Sequence, residues 1–260
     1  MNQETVLYEV KNGVGIITLN RPEQLNCLST EVTAKFSSLI SKIRDDSSIK
    51  VVIITGSGRS FATGADLKEV EGMPSRVEFT GYNARVHDLF FAIENLPKPV
   101  IAAINGLTYG GGLELSLTCD LRLAVPKAKF AVPEINLGLI PGAGGTYRLA
   151  EVIGIAKAKE MVYTGDPIDA EEAYRLNLIN KIVPPENLME EAINMGSKLA
   201  EKPVLALRAA KQCISTEFHM DHHSASKLEE ESIISLFDTE DRREGVKAFV
   251  EKRKAVFTGR

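Results

Sequence analysis

Apolar residues along the chain gather into short β-branched runs separated by longer stretches with helical spacing. Residues 14–19, 51–55, 100–104, 121–125 and 178–183 are the clearest runs, and most are too uniformly apolar to leave one face in water. Strands of that kind are buried on both sides, which predicts a mainly parallel sheet covered by other layers. Between the first two runs, Val32, Phe36, Leu39, Ile40 and Ile43 recur at helical spacing, and Ser29 and Thr30 offer an N-terminal cap. No internal sequence repeat is visible, although ββα units of similar length would repeat in structure without one.

From about Ser197 the strand signal stops, and helices are predicted over residues 204–214, 224–237 and 241–256. The chain therefore divides into an α/β core, residues 1–196, and a helical C-terminal region, residues 197–260. In the middle helix Leu228, Ile233, Ile234, Leu236 and Phe237 make an apolar face broader than a surface helix needs. Such a face is buried either against another subunit or inside the chain.

Composition removes several functions. The 260 residues are 44% hydrophobic and 25% charged, as in an ordinary globular protein with a sizeable core. Lys and Arg number 31 against 35 Asp and Glu, a formal charge of -4, so no global field favours nucleic acid or anionic lipid. No segment reaches the roughly 18 apolar residues of a membrane span, and the first residues lack the pattern of a signal peptide. Cys27, Cys119 and Cys213 are an odd number without metal-type spacing. A reducing, cytoplasmic setting is the expectation, and a mature organellar protein would read the same way.

Three glycine-rich stretches invite a phosphate-loop reading, and all three fail it. Gly56-Ser57-Gly58 has Phe61, and Gly142-Ala143-Gly144 has Tyr147, where a dinucleotide fingerprint needs a third glycine. None continues into the Gly-Lys-Ser/Thr of a nucleotide loop, so no cofactor is expected. Gly110-Gly111-Gly112 differs because it runs into Leu113-Glu114-Leu115, where a helix could begin. Glycines there either leave N–H groups free to stabilise an oxyanion or let the helix pack tightly on the sheet.

Glu114 lies in an otherwise apolar stretch, on a helical face with Gly110, Gly111 and Thr118. Burial there raises a carboxyl pKa and suits it to proton transfer, whereas a salt-bridged or capping glutamate is the plainer alternative. Glu134, in Phe130-Ala131-Val132-Pro133-Glu134-Ile135, is a second carboxylate in apolar surroundings. The two read either as an acid-base pair or as independent structural residues. There is no Gly-x-Ser-x-Gly elbow, and Cys119 reads as core. His219, His222 and His223, beside Asp221 and Ser224, read as a solvated helix start rather than a metal site.

Taken together, several segments resemble the crotonase superfamily, most closely the enoyl-CoA hydratases, from about Leu7 to Phe257. The resemblance rests on Leu19-Asn20-Arg21-Pro22, Phe61-Ala62-Thr63-Gly64-Ala65-Asp66-Leu67, Ile104-Asn105-Gly106, the triple glycine with Glu114, Pro133-Glu134, and Leu139-Ile140-Pro141-Gly142-Ala143-Gly144-Gly145-Thr146. It implies an α/β fold, a crotonase-like spiral of ββα turns, followed by a helical trimerisation region, with trimers commonly paired into hexamers.

The same resemblance implies reversible hydration of trans-2-enoyl-CoA to 3-hydroxyacyl-CoA. Its oxyanion donors would be the backbone N–H groups of Ala65 and Gly111. Its catalytic pair would be Glu114, activating water toward the β-carbon, and Glu134, delivering a proton to the α-carbon. CoA would run along Cys27 and Leu28 and along Ala62, Ala65, Asp66, Leu67 and Lys68, with Gly111. Cys27, Thr63 and Tyr147 depart from the usual residues. The segment around Gly106-Leu107 and Gly112 to Leu115 also resembles branched-chain methylglutaconyl-CoA hydratases, a branch of which binds AU-rich RNA. Only Lys247, Lys252, Arg253 and Lys254 could form a basic stripe for that purpose.

Overall fold

The computed structural model describes residues 4–216 and 219–260. Its apolar runs assemble into a six-stranded sheet of order β1-β2-β3-β5-β7-β10 and a four-stranded sheet of order β4-β6-β8-β9. In the first sheet lie β1 (Val6–Lys11), β2 (Val14–Leu19), β3 (Val51–Gly56), β5 (Val100–Ile104), β7 (Leu121–Ala124) and β10 (Lys181–Ile182). The second holds β4 (Ser60–Ala62), β6 (Leu107–Tyr109), β8 (Lys129–Ala131) and β9 (Ile168–Asp169). From β2 through β7 the larger sheet is parallel and almost wholly buried, as the uniformly apolar runs require.

The chain visits the sheets alternately. β3 leads to β4, β5 to β6 and β7 to β8, and each pair is followed by helix, so consecutive ββα turns stack as a spiral. β3, β5 and β7 pair in parallel in one sheet, and β4, β6 and β8 do so in the other. The repeat is structural, with no matching sequence repeat.

Helix α1 (Thr30–Asp45) joins β2 to β3. The Ser29 hydroxyl accepts a hydrogen bond from the Val32 N–H, so Ser29 rather than Thr30 is the cap. Val32, Phe36, Ile40 and Ile43 are buried on one face, each worth about 1.5–3 kcal/mol when fully removed from water. Helices α2 (Leu67–Glu71) and α3 (Arg76–Glu94) follow β4, and the short α4 (Gly111–Leu117) follows β6. Helices α5 (Tyr147–Ile153), α6 (Ile155–Thr164) and α7 (Ala170–Arg175) follow β8, with β9 between the last two.

Helix α8 (Leu188–Ala200) packs on β2, β3 and β5, and Gly196 lies against Val14 and Val51. The expected division at residue 196 falls inside this helix. Beyond it come α9 (Val204–Thr216), α10 (His222–Phe237) and α11 (Glu240–Val250), the helical end read from the sequence. On α10, Ile233, Ile234 and Phe237 are 68%, 62% and 63% exposed, so most of its apolar face finds no cover within the chain.

Several boundaries differ from expectation. The run at 178–183 yields only the two residues of β10, because the Leu178 and Ile179 N–H groups both donate to the Ala173 carbonyl and finish the turn after α7. The helix expected over 241–256 stops at Val250, where Lys252 takes a left-handed φ of 55° and the Arg253 N–H returns to the Ala248 carbonyl. The antiparallel β1, mostly exposed, was not expected, and the strands of the second sheet, implied by the ββα spiral, were not located, since short or wet strands leave little apolar signal. Among the described residues no helix is long and apolar enough to cross a membrane.

Candidate active site

Two chain segments meet at a cavity lined from α2, α3, α4 and the Pro133–Leu137 turn. Leu28 forms a parallel bridge with Ala65, and its N–H donates to the Gly64 carbonyl at 2.7 Å. Opposite, the Gly110 N–H donates to Ala131 of β8 at 2.9 Å, with Gly110 at φ 52° and ψ -127°, a conformation that suits glycine. This turn delivers Gly111 as the first residue of α4. Gly64 has φ +85°, and a Cβ on it would lie 2.9 Å from the Gly111 nitrogen. Among the described residues, the N–H groups of Ala65 and Gly111 have no hydrogen-bond acceptor, and both residues line the cavity. Gly112, in contrast, presses on the Ala62 carbonyl, so the triple glycine serves both tight packing and the cavity.

Glu114 sits in the first turn of α4 and is 3% exposed. Its Oε1 accepts two backbone hydrogen bonds, from Ala143 and Gly145, each at 2.8 Å. Among the described residues it has no salt bridge. Burial pushes its pKa up, and the two N–H groups, His87 and Arg148 oppose that rise. The carboxylate is therefore held in one orientation by a loop distant in sequence. The C-terminal end of α4 is held as well: buried Arg122 donates to the carbonyls of Ser116, Cys119 and Leu178.

Glu134 stands on a 3-10 turn, Pro133–Leu137, directly after β8. Its Oε1 faces Gly110 so closely that a Cβ there would lie 2.7 Å away. Its Oε2 is buried and, among the described residues, without a hydrogen-bond partner. Burial and the neighbouring Glu114 push its pKa up to about 7. Both glutamates line one cavity of about 180 Å³.

Leu28, Ala65, Leu67 and Gly111, expected along the CoA path, also line this cavity. Cys27, Ala62, Asp66 and Lys68 do not. Ala62 is wholly buried under α4. Asp66 caps α2 and pairs with Arg21 at 3.0 Å, while the Cys27 thiol lies 3.3 Å from Asp66 and is pushed up to about 11 by burial. The Lys68 side chain is exposed. Cys119 is core, its thiol pushed up to about 12 by burial.

Sequence reasoning left Val70, Phe79, Tyr82 and Asn83 without a role, and the structure puts them on the cavity wall with Val86 and Ile140. Tyr82 is tied down by a 2.7 Å bond from its hydroxyl to the Leu28 carbonyl. The sequence left residues 70–85 open between loop and helix, so the face turned inward was not visible. Also unforeseen is the buried Arg148, which pairs with Glu94 and stacks on Tyr147.

His222 and His223 begin α10, whose cap is Asp221, as the sequence suggested. Among the described residues no group of His, Cys, Asp or Glu converges as metal ligands would. In the C-terminal basic stripe, Arg253 is paired with Glu244 and Glu251, and Lys254 with Glu201, so the stripe is interleaved with acids.

Residues 9–260 match the family described as enoyl-CoA hydratase/isomerase. The crotonyl-CoA hydratase of Syntrophomonas wolfei is 38% identical over 258 residues, 99% of each chain. A mitochondrial enoyl-CoA hydratase of Pongo abelii is 42% identical over 246 residues, 95% of this chain and 84% of that one. The crystal structure of an enoyl-CoA hydratase from Bacillus anthracis matches with a TM-score of 0.96 at 39% identity, over 99% of this chain and 100% of that one. Fold, motifs and near-complete coverage agree: the chain belongs to the enoyl-CoA hydratase/isomerase family of the crotonase superfamily.

Proposed function

We propose that this protein reversibly hydrates trans-2-enoyl-CoA thioesters to 3-hydroxyacyl-CoA. The observation that carries the reading is two glutamates on one cavity, one held by two N–H groups and one whose buried Oε2 has no partner among the described residues and whose pKa is pushed up to about 7. Next to them stand two backbone N–H groups without acceptors.

The thioester oxygen would bind between the N–H groups of Ala65 and Gly111, which stabilise the enolate as it forms. Glu114, ionised, takes a proton from water as the oxygen bonds to the β-carbon. The electron pair of the double bond moves toward the thioester, and protonated Glu134 gives its proton to the α-carbon. A proton then passes back from Glu114 to Glu134 through solvent, so one water is added and the enzyme is restored. Each glutamate would contribute about 10²–10⁴ in rate.

The wall formed by Val70, Phe79, Val86, Leu137, Leu139 and Ile140 is apolar, and among the described residues no Arg or Lys lines the cavity. That supports an uncharged acyl group over the carboxylated one of a methylglutaconyl-CoA hydratase. The exposed apolar face of α10 supports a subunit contact by the C-terminal helices, whose 197–260 span we take as the oligomerisation region. The test is loss of the conjugated enoyl-thioester absorbance of crotonyl-CoA, with Glu114→Gln as control. No loss with either straight or branched enoyl-CoA would overturn the reading.

A further inference from the structure

Arg148, on the first turn of α5, is a charged side chain only 3% exposed and set behind Glu114 rather than on the cavity. Its guanidinium makes a two-pronged ion pair with Glu94 at the end of α3, Nε to Oε1 at 2.8 Å and Nη2 to Oε2 at 2.7 Å. The remaining Nη1 donates to the Ala143 carbonyl at 2.9 Å. Ala143 is also the residue whose N–H binds Glu114. Gly144, at φ +107°, leaves room for the guanidinium beneath the loop, where a side chain would collide with it. Phe91 and Tyr147 sandwich the charge at 5.5 and 4.8 Å from their ring centres. Ala143 is thus gripped from two sides, by Arg148 at its carbonyl and by Glu114 at its N–H.

We propose that Arg148, locked by Glu94, is a positioning residue that clamps the 143–145 loop so that its two N–H groups fix Glu114 for activation of water. The proposal rests on the hydratase reading above. A planar fork with fixed donor directions suits the task, because it sets two elements in register at once. The ammonium of lysine supplies charge without that geometry.

The same arrangement sets the charge around Glu114. From α5 it faces Arg148 and the phenol of Tyr147, from α3 His87, from the 3-10 turn Glu134, and from the loop the two N–H groups. β4 and β6, also packed on α4, carry no charged side chain. Arg148 and His87 favour the ionised form of Glu114, and Glu134 opposes it. Removing Arg148 therefore both loosens the carboxylate and makes it harder to ionise.

The test measures hydration of crotonyl-CoA by wild type, Arg148→Met, Arg148→Lys and Glu94→Gln across pH, with folded fraction followed by near-ultraviolet circular dichroism. Arg148→Met is expected to lower kcat about 10- to 100-fold, with KM changed less than about threefold, since misplacement of a catalytic group by about 1 Å has such a cost. The acidic limb of its kcat profile moves to higher pH. Arg148→Lys keeps the limb near its wild-type position while recovering only part of kcat. A folded Arg148→Met with wild-type kcat overturns the proposal, and so does a loss that tracks the folded fraction while the limb stays put. Should Arg148→Met not fold, Glu94→Gln decides: a kcat loss of about 3- to 10-fold at constant KM supports the clamp, and unchanged kcat overturns it. Wild type without turnover on any enoyl-CoA overturns the hydratase reading itself, and the clamp with it. Turnover by wild type with unaffected variants overturns the clamp alone.

Discussion

The loop at 143–145 and the turn Pro133–Leu137 both border one cavity, yet they treat a glutamate in opposite ways. The loop directs two N–H groups at Glu114, backed by the ion pair of buried Arg148 with part-exposed Glu94. The turn leaves the Oε2 of Glu134 without a partner among the described residues and places the side chain against apolar wall and a second carboxylate. Under the proposed mechanism, two side chains of one type, alike in water, would carry different protons. The difference teaches that burial raises both carboxyls, while only Glu114 receives two backbone N–H groups that oppose the rise, a contrast on which the proposed division into acid and base rests.

The largest expected effect breaks that division directly. Glu114→Gln keeps the size and loses the base, and hydration should fall by about 10²–10⁴ at neutral pH. Glu134→Gln should fall within the same range, but with its residual activity losing the alkaline decline described below. Equal, small losses from both would mean that the two environments do not produce two roles. Next in size is the shared oxyanion position. Gly64→Ala forces a side chain against the Gly111 nitrogen, and a loss of about 10²–10³ in kcat is expected, measured with crotonyl-CoA.

The pH dependence sharpens the comparison further. The proton donor is protonated below its pKa of about 7, so kcat for hydration should decline about tenfold per pH unit well above that value. A flat profile to pH 9 would remove Glu134 as the donor. The smallest effect is on stability. The folded pKa of Glu134 is raised from the ordinary glutamate value of 4.5 to about 7, so the folded state holds this proton more tightly than the unfolded chain. The ionised carboxylate then costs nothing below about pH 4.5, and its full cost is present above about pH 7. Glu134→Gln should therefore stabilise the fold at pH 8 by about 1–2 kcal/mol, after allowing for partial solvent exposure, and scarcely at pH 4.5. Thermal melts at the two pH values check the sign.

Both glutamates were legible because a carboxylate in an apolar run is expensive, and the triple glycine before Glu114 marked the turn. What Glu114 touches was not legible, since Ala143 and Gly145 lie far along the chain and act through backbone N–H groups, which any residue but proline carries. The CoA path shows the same limit. Residues 62–68 share a motif, but Ala62 points under α4 and Asp66 to Arg21, while Ala65 and Leu67 reach the cavity. Sharing a segment does not mean sharing a face. Tyr82 and Asn83 were missed because α3 is apolar on more than one side, facing both core and cavity.

By itself the sequence determined the buried parallel strands and the helical end, which follow from local quantities, namely apolar spacing and caps. It singled out two glutamates by the cost of a misplaced charge, while the roles expected of them came from the family resemblance. Only the tertiary structure decided that the 143–145 loop reaches Glu114, that Arg148 stands behind it, and that Glu134 Oε2 is buried without a partner among the described residues. Hydrogen bonds and electric fields depend on distance in space, and in a spiral of stacked ββα turns residues far apart along the chain become immediate neighbours.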